Sequence, residues 1–340
     1  GGLALGTTTF WRKGFYRNGL FPDNSEGDSE KRSFVTYGVK AGATYKINGR
    51  NYITANAAYL TRPPVARTVY VSPRTRDEAI PGLTTEKVFS GDVNYMVRAP
   101  RVKARATFFH ASIADQVWAR SYYHDEFRTF VNYTMQGVDQ THTGIELGVE
   151  AKASSTVVVN AVFTTGQYRY GSRPEARITR DNSTEILASD RTVYWENFRL
   201  GGMPQTAASA GIRYNDPAFW SVGVNGNFFA DMYLDPNPDR RTAEAVANLV
   251  TDDPQWAQLL DQEKLDDGFT LDIFAMKSWM IQRKYRIALN LSVSNLLDNT
   301  DLVTGGFEQL RYESNDPDKF PAKYSYMYGR TYYAMLTFSF

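Results

Sequence analysis

The stretch from Arg330 to Phe340 reads RTYYAMLTFSF, and it decides the fold. Tyr332, Ala334, Leu336, Phe338 and Phe340 fall on one side of an extended chain. Tyr333, Thr337 and Ser339 fall mostly on the other. A period of two specifies strand, not helix. Soluble domains usually fray at a terminus in small, polar residues. This run keeps its alternation up to an aromatic side chain.

The pattern recurs upstream. In YRIALNLSVSNLLDN (285–299), Tyr285, Ile287, Leu289, Leu291 and Val293 oppose Arg286, Asn290, Ser292 and Ser294. RVKARATFF (101–109) sets Val102, Ala104, Ala106 and Phe108 against Arg101, Lys103, Arg105 and Thr107. SFVTYGVKAGATYKI (33–47), GIELGVEA (144–151) and FWSVGVNGNFF (219–229) repeat it. About twelve such segments are expected, each apolar on one face and small or polar on the other.

Connections of two kinds separate them. Short ones lie at 46–52, 98–102, 152–157, 215–219 and 281–285, the first with an Asn48-Gly49 hairpin signal. Long ones lie at about 14–32, 61–84, 117–140, 169–203, 234–267 and 298–324. Strict alternation of short and long is expected of a meander barrel in an outer membrane, with short periplasmic turns and long extracellular loops. A β-sandwich has no reason to sort its loops this way. The loop at 234–267 is expected to hold a helix, with Asp253 as N-cap, Pro254 at the first position and Gly268 near the stop.

Composition agrees. Mean hydropathy is −0.44 and no apolar run is long enough for a spanning helix, but a barrel strand faces lipid only at alternate residues. A net charge of +1 implies no polyanionic partner such as nucleic acid. Cys is absent, so thiolate metal sites and disulfides are excluded. His110, His124 and His142 show no metal-ligand spacing, and no catalytic motif appears; the reading is non-enzymatic, with no cofactor and no metal. GGLALGTTTFW at the start carries no Met, basic region or cleavage site. The chain is therefore expected to be the C-terminal part of a longer protein.

The run YGRTYYAMLTFSF (328–340), preceded by SVSNLLDN (292–299) and THTGIELGVEA (141–151), resembles the C-terminal half of TonB-dependent outer-membrane receptors. YKINGRNYITANAAYLTRPP (45–64), VSPRTRDE (71–78) and GFEQLRYE (306–313) resemble the Bacteroidota type, which carries a carboxypeptidase-like regulatory domain. The resemblance implies an all-β, antiparallel up-and-down transmembrane barrel of 22 strands. Residues 1–340 would supply about twelve C-terminal strands, the plug, TonB box and N-terminal strands lying outside this sequence. It also implies active uptake of a scarce siderophore, vitamin, glycan or peptide at the outer membrane. Expected partners are the TonB complex, outer-membrane lipids, the barrel-assembly machinery reading Tyr332, Leu336, Phe338 and Phe340, and a surface lipoprotein.

By alternation Lys40, Lys103, Arg105, Glu146, Glu150 and Arg286 are expected to face the lumen, where they suit either a ligand path or bonding to a plug. In the long loops Tyr194, Trp195, Phe198 and Arg199, then Asp235, Asp239, Arg240 and Arg241, then Phe307, Glu308, Arg311 and Tyr312 are candidate ligand contacts, because aromatic and Arg side chains anchor binding sites. The same residues also suit loop–loop packing. A passive porin or structural barrel, and a soluble β-rich domain, are the competing readings.

Overall fold

The computed structural model describes residues 1–250, 252–314 and 316–340. Positions 251 and 315, inside two of the expected long loops, lie outside the described residues. Twelve strands form one antiparallel meander in chain order. They are β1 (Gly2–Phe10), β2 (Arg32–Lys46), β3 (Asn51–Arg62), β4 (Glu86–Arg98), β5 (Val102–His124), β6 (Thr129–Lys152), β7 (Val157–Tyr170), β8 (Thr206–Asp216), β9 (Trp220–Ala230), β10 (Gly268–Ile281), β11 (Tyr285–Ser294) and β12 (Thr331–Ser339). Each pairs with its predecessor and successor. Among the described residues β1 and β12 are paired on one side only, so the sheet is an open arc.

Register explains the two faces. Leu3, Val39, Tyr59 and Phe89 are successive cross-strand partners, as are Val93, Phe108, Ile145 and Thr165. At the other end of the arc Ala275, Leu291 and Ala334 align. One face is thus a continuous apolar belt, and its large side chains are exposed: Leu147, Val149, Val222, Leu336 and Phe338 among them. An exposed apolar band along such an antiparallel meander is the surface that lipid covers.

The opposite face is laced by polar contacts between neighbouring strands. Lys103 Nζ donates to Glu150 Oε1 at 3.0 Å and Arg105 Nη2 to Glu146 Oε2 at 3.2 Å. Thr107 Oγ1 donates to Asn94 Oδ1 at 2.7 Å, and Asn227 Nδ2 to Asp272 Oδ2 at 2.8 Å. Arg286 Nε donates to Ser278 Oγ at 2.8 Å. Lys40 shares this face, since it is next in the strand to Val39 of the apolar belt and successive side chains alternate. All six residues expected to be lumen-facing thus lie on one polar face. Glycine is required there where strands carry bulk opposite it: a Cβ on Gly223 would stand 2.3 Å from the Phe274 ring.

All five short turns occur where the sequence places them. Their chemistry differs from the sequence signal. Neither Asn48 nor Gly49 adopts positive φ. Instead Asn48 Oδ1 accepts from the amides of Arg50 and Asn51, at 2.9 and 3.0 Å, an Asx-type closure. The mirror-image turn that a two-residue hairpin favours is found at Gln282-Arg283, both left-handed at φ 50° and 56° and closed by Lys284 N to Ile281 O.

The long connections are structured. Residues 117–140 are not a loop: β5 and β6 continue through them for 23 and 24 residues, about 75 Å of extended chain, far more than the ~25 Å apolar band of a barrel. A hairpin of Glu175–Arg180 and Ile186–Thr192 adds to the projecting part of β6. The connection before β12 folds as a hairpin of Val303–Phe307 and Lys323–Tyr326. The expected helix exists as Pro254–Leu260, with the Asp253 carboxylate accepting from Gln255 N at 2.9 Å. It stops at Leu260, not near Gly268, which already opens β10.

A core stands in this outer layer. Val131, Tyr133, Met135, Ile178, Val193 and Trp195 are buried together, with Trp118, Tyr122 and Phe198 against them. The terminal Phe340 follows the last strand residue, is 93% exposed and lies 6.1 Å from the Phe338 ring.

Candidate functional site

Backbone bonds tie the loops at the elaborated end together. Tyr194 N donates to Arg241 O at 2.7 Å, Asp235 N to Gly306 O at 3.1 Å, and Glu308 N to Asp235 O at 3.0 Å. The loops at 193–205, 231–267 and 295–330 therefore meet, and charged side chains fill their junction.

Arg241 is 1% exposed at its side chain and grips Glu308, itself 7% exposed, through two hydrogen bonds; Nη2 to Oε1 measures 2.7 Å. Arg241 also donates to the carbonyls of Leu260 and Asp261. Glu308 Oε2 accepts from Asn237 N at 2.8 Å. Both charges are thus fully engaged, the condition for an ion pair to persist in low dielectric.

Asp239 is enclosed completely. Arg191 Nη1 donates to its Oδ1 at 3.0 Å and bonds Glu126 with both terminal nitrogens. His124 Nε2 lies 3.0 Å from Asp239 Oδ2, close but without hydrogen-bond alignment. Burial pushes the Asp239 carboxyl up, yet His124 and Arg191 more than reverse this and hold it below the ordinary range. Burial raises the neighbouring Tyr312 phenol strongly, and it stays protonated.

Arg311 donates to both oxygens of Asp125, at 2.6 and 3.1 Å, and its guanidinium stacks on Tyr123 and Phe320, 4.9 and 4.3 Å from the ring centres. Arg240 stands 5.8 Å over Tyr312.

A second knot joins the loops after β1 and β3 to the tip of the added hairpin. Arg76 is wholly buried, donating to Glu78 Oε2 at 2.6 Å and Asp181 O at 3.0 Å, and lies 4.6 Å over Phe21. Arg12 binds Asp77 at 2.5 Å and two backbone carbonyls.

These positions correct part of the sequence reading. Trp195 is 1% exposed, 4.4 Å from Tyr170 and edge-on to Trp118; it is a core residue and offers no surface to a ligand. Arg241 and Glu308 are equally withdrawn, and Arg240 and Asp239 are buried. Each holds one loop to another. Tyr194 stays exposed. Arg199 is locked through its backbone, its amide and carbonyl both bonded to Gln262. Arg311 and Tyr312 are only half-buried. With Tyr123, His124, Asp125, Glu126, Arg128, Asp239 and Glu244 they line a cavity of about 760 Å³ between the β5–β6 tip and the two later loops. The sequence reading missed His124, Asp125, Glu126, Arg191 and Arg76. Arg191 lies three residues before the candidate Tyr194, and Arg76 lies within VSPRTRDE (71–78). The acids at 125–126 fall in the stretch expected to be a loop and carry no spacing signal.

No family model and no curated relative matches the chain. Solved structures resemble it. The copper transporter OprC is 14% identical, with a TM-score of 0.61, over 98% of this chain and 44% of its own. The siderophore receptor PiuA from Acinetobacter baumannii is 14% identical, TM-score 0.55, over 92% and 36%. The FrpB iron transporter from Neisseria meningitidis (F3-3 variant) is 12% identical, TM-score 0.54, over 91% and 40%. The chain spans less than half the length of each. At such identities the likeness establishes fold: these twelve strands are an open arc of an antiparallel up-and-down transmembrane β-barrel.

Proposed function

We propose that this chain is the C-terminal part of the barrel of a TonB-dependent outer-membrane receptor, which actively takes up a scarce ligand. The observation that carries the reading is one-sidedness. Every long connection stands at one end of a sheet with a lipid-type face and a polar face, and is folded into an ion-paired layer. A passive pore gains nothing from such a layer, whereas a receptor needs rigid groups around its ligand. The names of the similar structures, a copper transporter, a siderophore receptor and an iron transporter, support uptake of scarce solutes.

In this reading Tyr194, Arg199, Arg311 and Tyr312 are the rim residues available to a ligand or to a capping surface lipoprotein. Lys40, Lys103, Arg105, Glu146, Glu150 and Arg286 line the lumen against a plug. The plug, the N-terminal strands and the TonB-contacting segment belong to the protein outside residues 1–340, and the stretches quoted above favour the Bacteroidota type. Lipid covers the apolar belt, and the barrel-assembly machinery engages β12. The outer membrane has no ion gradient of its own, so uphill transport draws on TonB and no reaction is catalysed.

The full-length protein in planar bilayers tests this. A closed channel that conducts only when the plug is displaced is expected. Ungated conductance, with no TonB dependence of uptake in cells, would favour a passive porin instead.

A further inference from the structure

We infer that the cavity between the β5–β6 tip and the loops carrying Asp239 and Tyr312 binds an organic cation bearing ammonium or guanidinium groups. This rests on the loop end being the ligand-binding end. Three features carry it.

The first is the sign of the walls. Asp125, Glu126, Asp239, Glu244 and Glu313 line the cavity, against Arg128 and Arg311. Arg191 and Lys319, which neutralise several of these acids, are not among the lining residues. With five carboxylates against two guanidiniums in its wall, the cavity presents negative potential.

The second is an unsatisfied buried group. His124 lines the cavity and is 3% exposed, and neither ring nitrogen makes an aligned hydrogen bond; Asp239 Oδ2 beside it is in the same state. Buried polar atoms left so in a folded core are uncommon; Asp239 Oδ2 and the unprotonated nitrogen of the imidazole are acceptors, which a donor entering the cavity satisfies.

The third is shape. Among the described residues no three of His, Cys, Asp and Glu converge to hold a metal ion. The acids are spread around about 760 Å³, within the usual range for a small organic ligand. The wall already holds one guanidinium in the chemistry required, that of Arg311, forked on Asp125 between Tyr123 and Phe320.

Calorimetric titration of the full-length protein in detergent tests the inference. The probes are spermidine, the tetrapeptide amide Gly-Arg-Arg-Gly and its uncharged counterpart Gly-Gln-Gln-Gly. At least one cationic probe should bind about tenfold more tightly than the uncharged peptide, and more weakly as salt rises. Glu244→Gln should weaken it roughly fivefold. Glu185→Gln, at the hairpin tip beside Arg180, should not. Glu244 is half exposed and only 3.8 Å from Arg191, so its replacement leaves the loops folded. Binding by spermidine alone identifies polyamine-like ligands, and by the Arg peptide alone peptide-like ones; either supports the site. Equal binding of charged and uncharged probes, no saturable binding below millimolar, or indifference to Glu244→Gln overturns it. Cation binding together with an ungated pore in bilayers would overturn uptake and leave the site standing.

Discussion

Replacing Arg241 by Met should loosen the outer layer without unfolding the barrel. The substitution keeps most of the side-chain volume and removes the guanidinium from Glu308. Glu308, 7% exposed, then keeps only the amide of Asn237 at 2.8 Å. Removing one partner of a buried pair costs about 3–5 kcal/mol. The surviving bond recovers about 1 kcal/mol, and the carbonyls of Leu260 and Asp261 lose their donor. A net cost of about 3 kcal/mol corresponds to roughly a 150-fold change in an opening equilibrium. Hydrogen exchange with mass spectrometry on the full-length protein reads this locally. Peptides over 191–200, 234–242 and 305–312 should lose about 150-fold in protection, while β8–β11 keep theirs. The double variant with Glu308→Leu removes the stranded charge and should recover part of the loss. The reasoning is refuted if the loop peptides change by less than about fivefold, if the barrel strands lose protection equally, or if the two substitutions add without coupling.

Further outcomes follow from other contacts. Leu147→Arg, on the apolar belt, should cost about 2–4 kcal/mol in folding into lipid vesicles, whereas Thr164→Arg on the opposite face, beside Glu146, should cost little. Asp239, held below the ordinary carboxylate range in the folded protein, stabilises the loop layer fully above its unfolded pKa of about 4. That contribution fades as pH falls through the lower folded value, so loop protection should drop in acid, and Asp239→Asn should abolish this part of the pH dependence. Arg283→Gly should stabilise the β10–β11 turn by about 1 kcal/mol, measured by urea unfolding, because Arg283 sits at φ 56°.

The strand order could be read from the sequence because a sheet with lipid on one face and polar contacts on the other imposes its alternation on consecutive residues. Leu289 beside Asn290, or Phe108 beside Thr107, already carries the answer. Turn placement is equally local, a matter of a few residues between opposed runs. The outer layer is different. Arg241 finds Glu308 67 residues away and Arg311 finds Asp125 186 away, and nothing in either neighbourhood names the partner. An Arg or Trp in a loop looks the same whether it reaches for a ligand or locks a neighbouring loop. Thus Arg311 and Tyr312 kept an open face while Trp195 and Arg241 did not. The length of β5 and β6 was also decided from outside, since the hairpin pairing along β6 extends the sheet past the apolar belt. The sequence by itself determined a twelve-stranded meander and its five short turns, because those depend on neighbours in the chain. Only the tertiary structure decided which charges meet in the outer layer and which are left to line a cavity, because burial and pairing depend on neighbours in space.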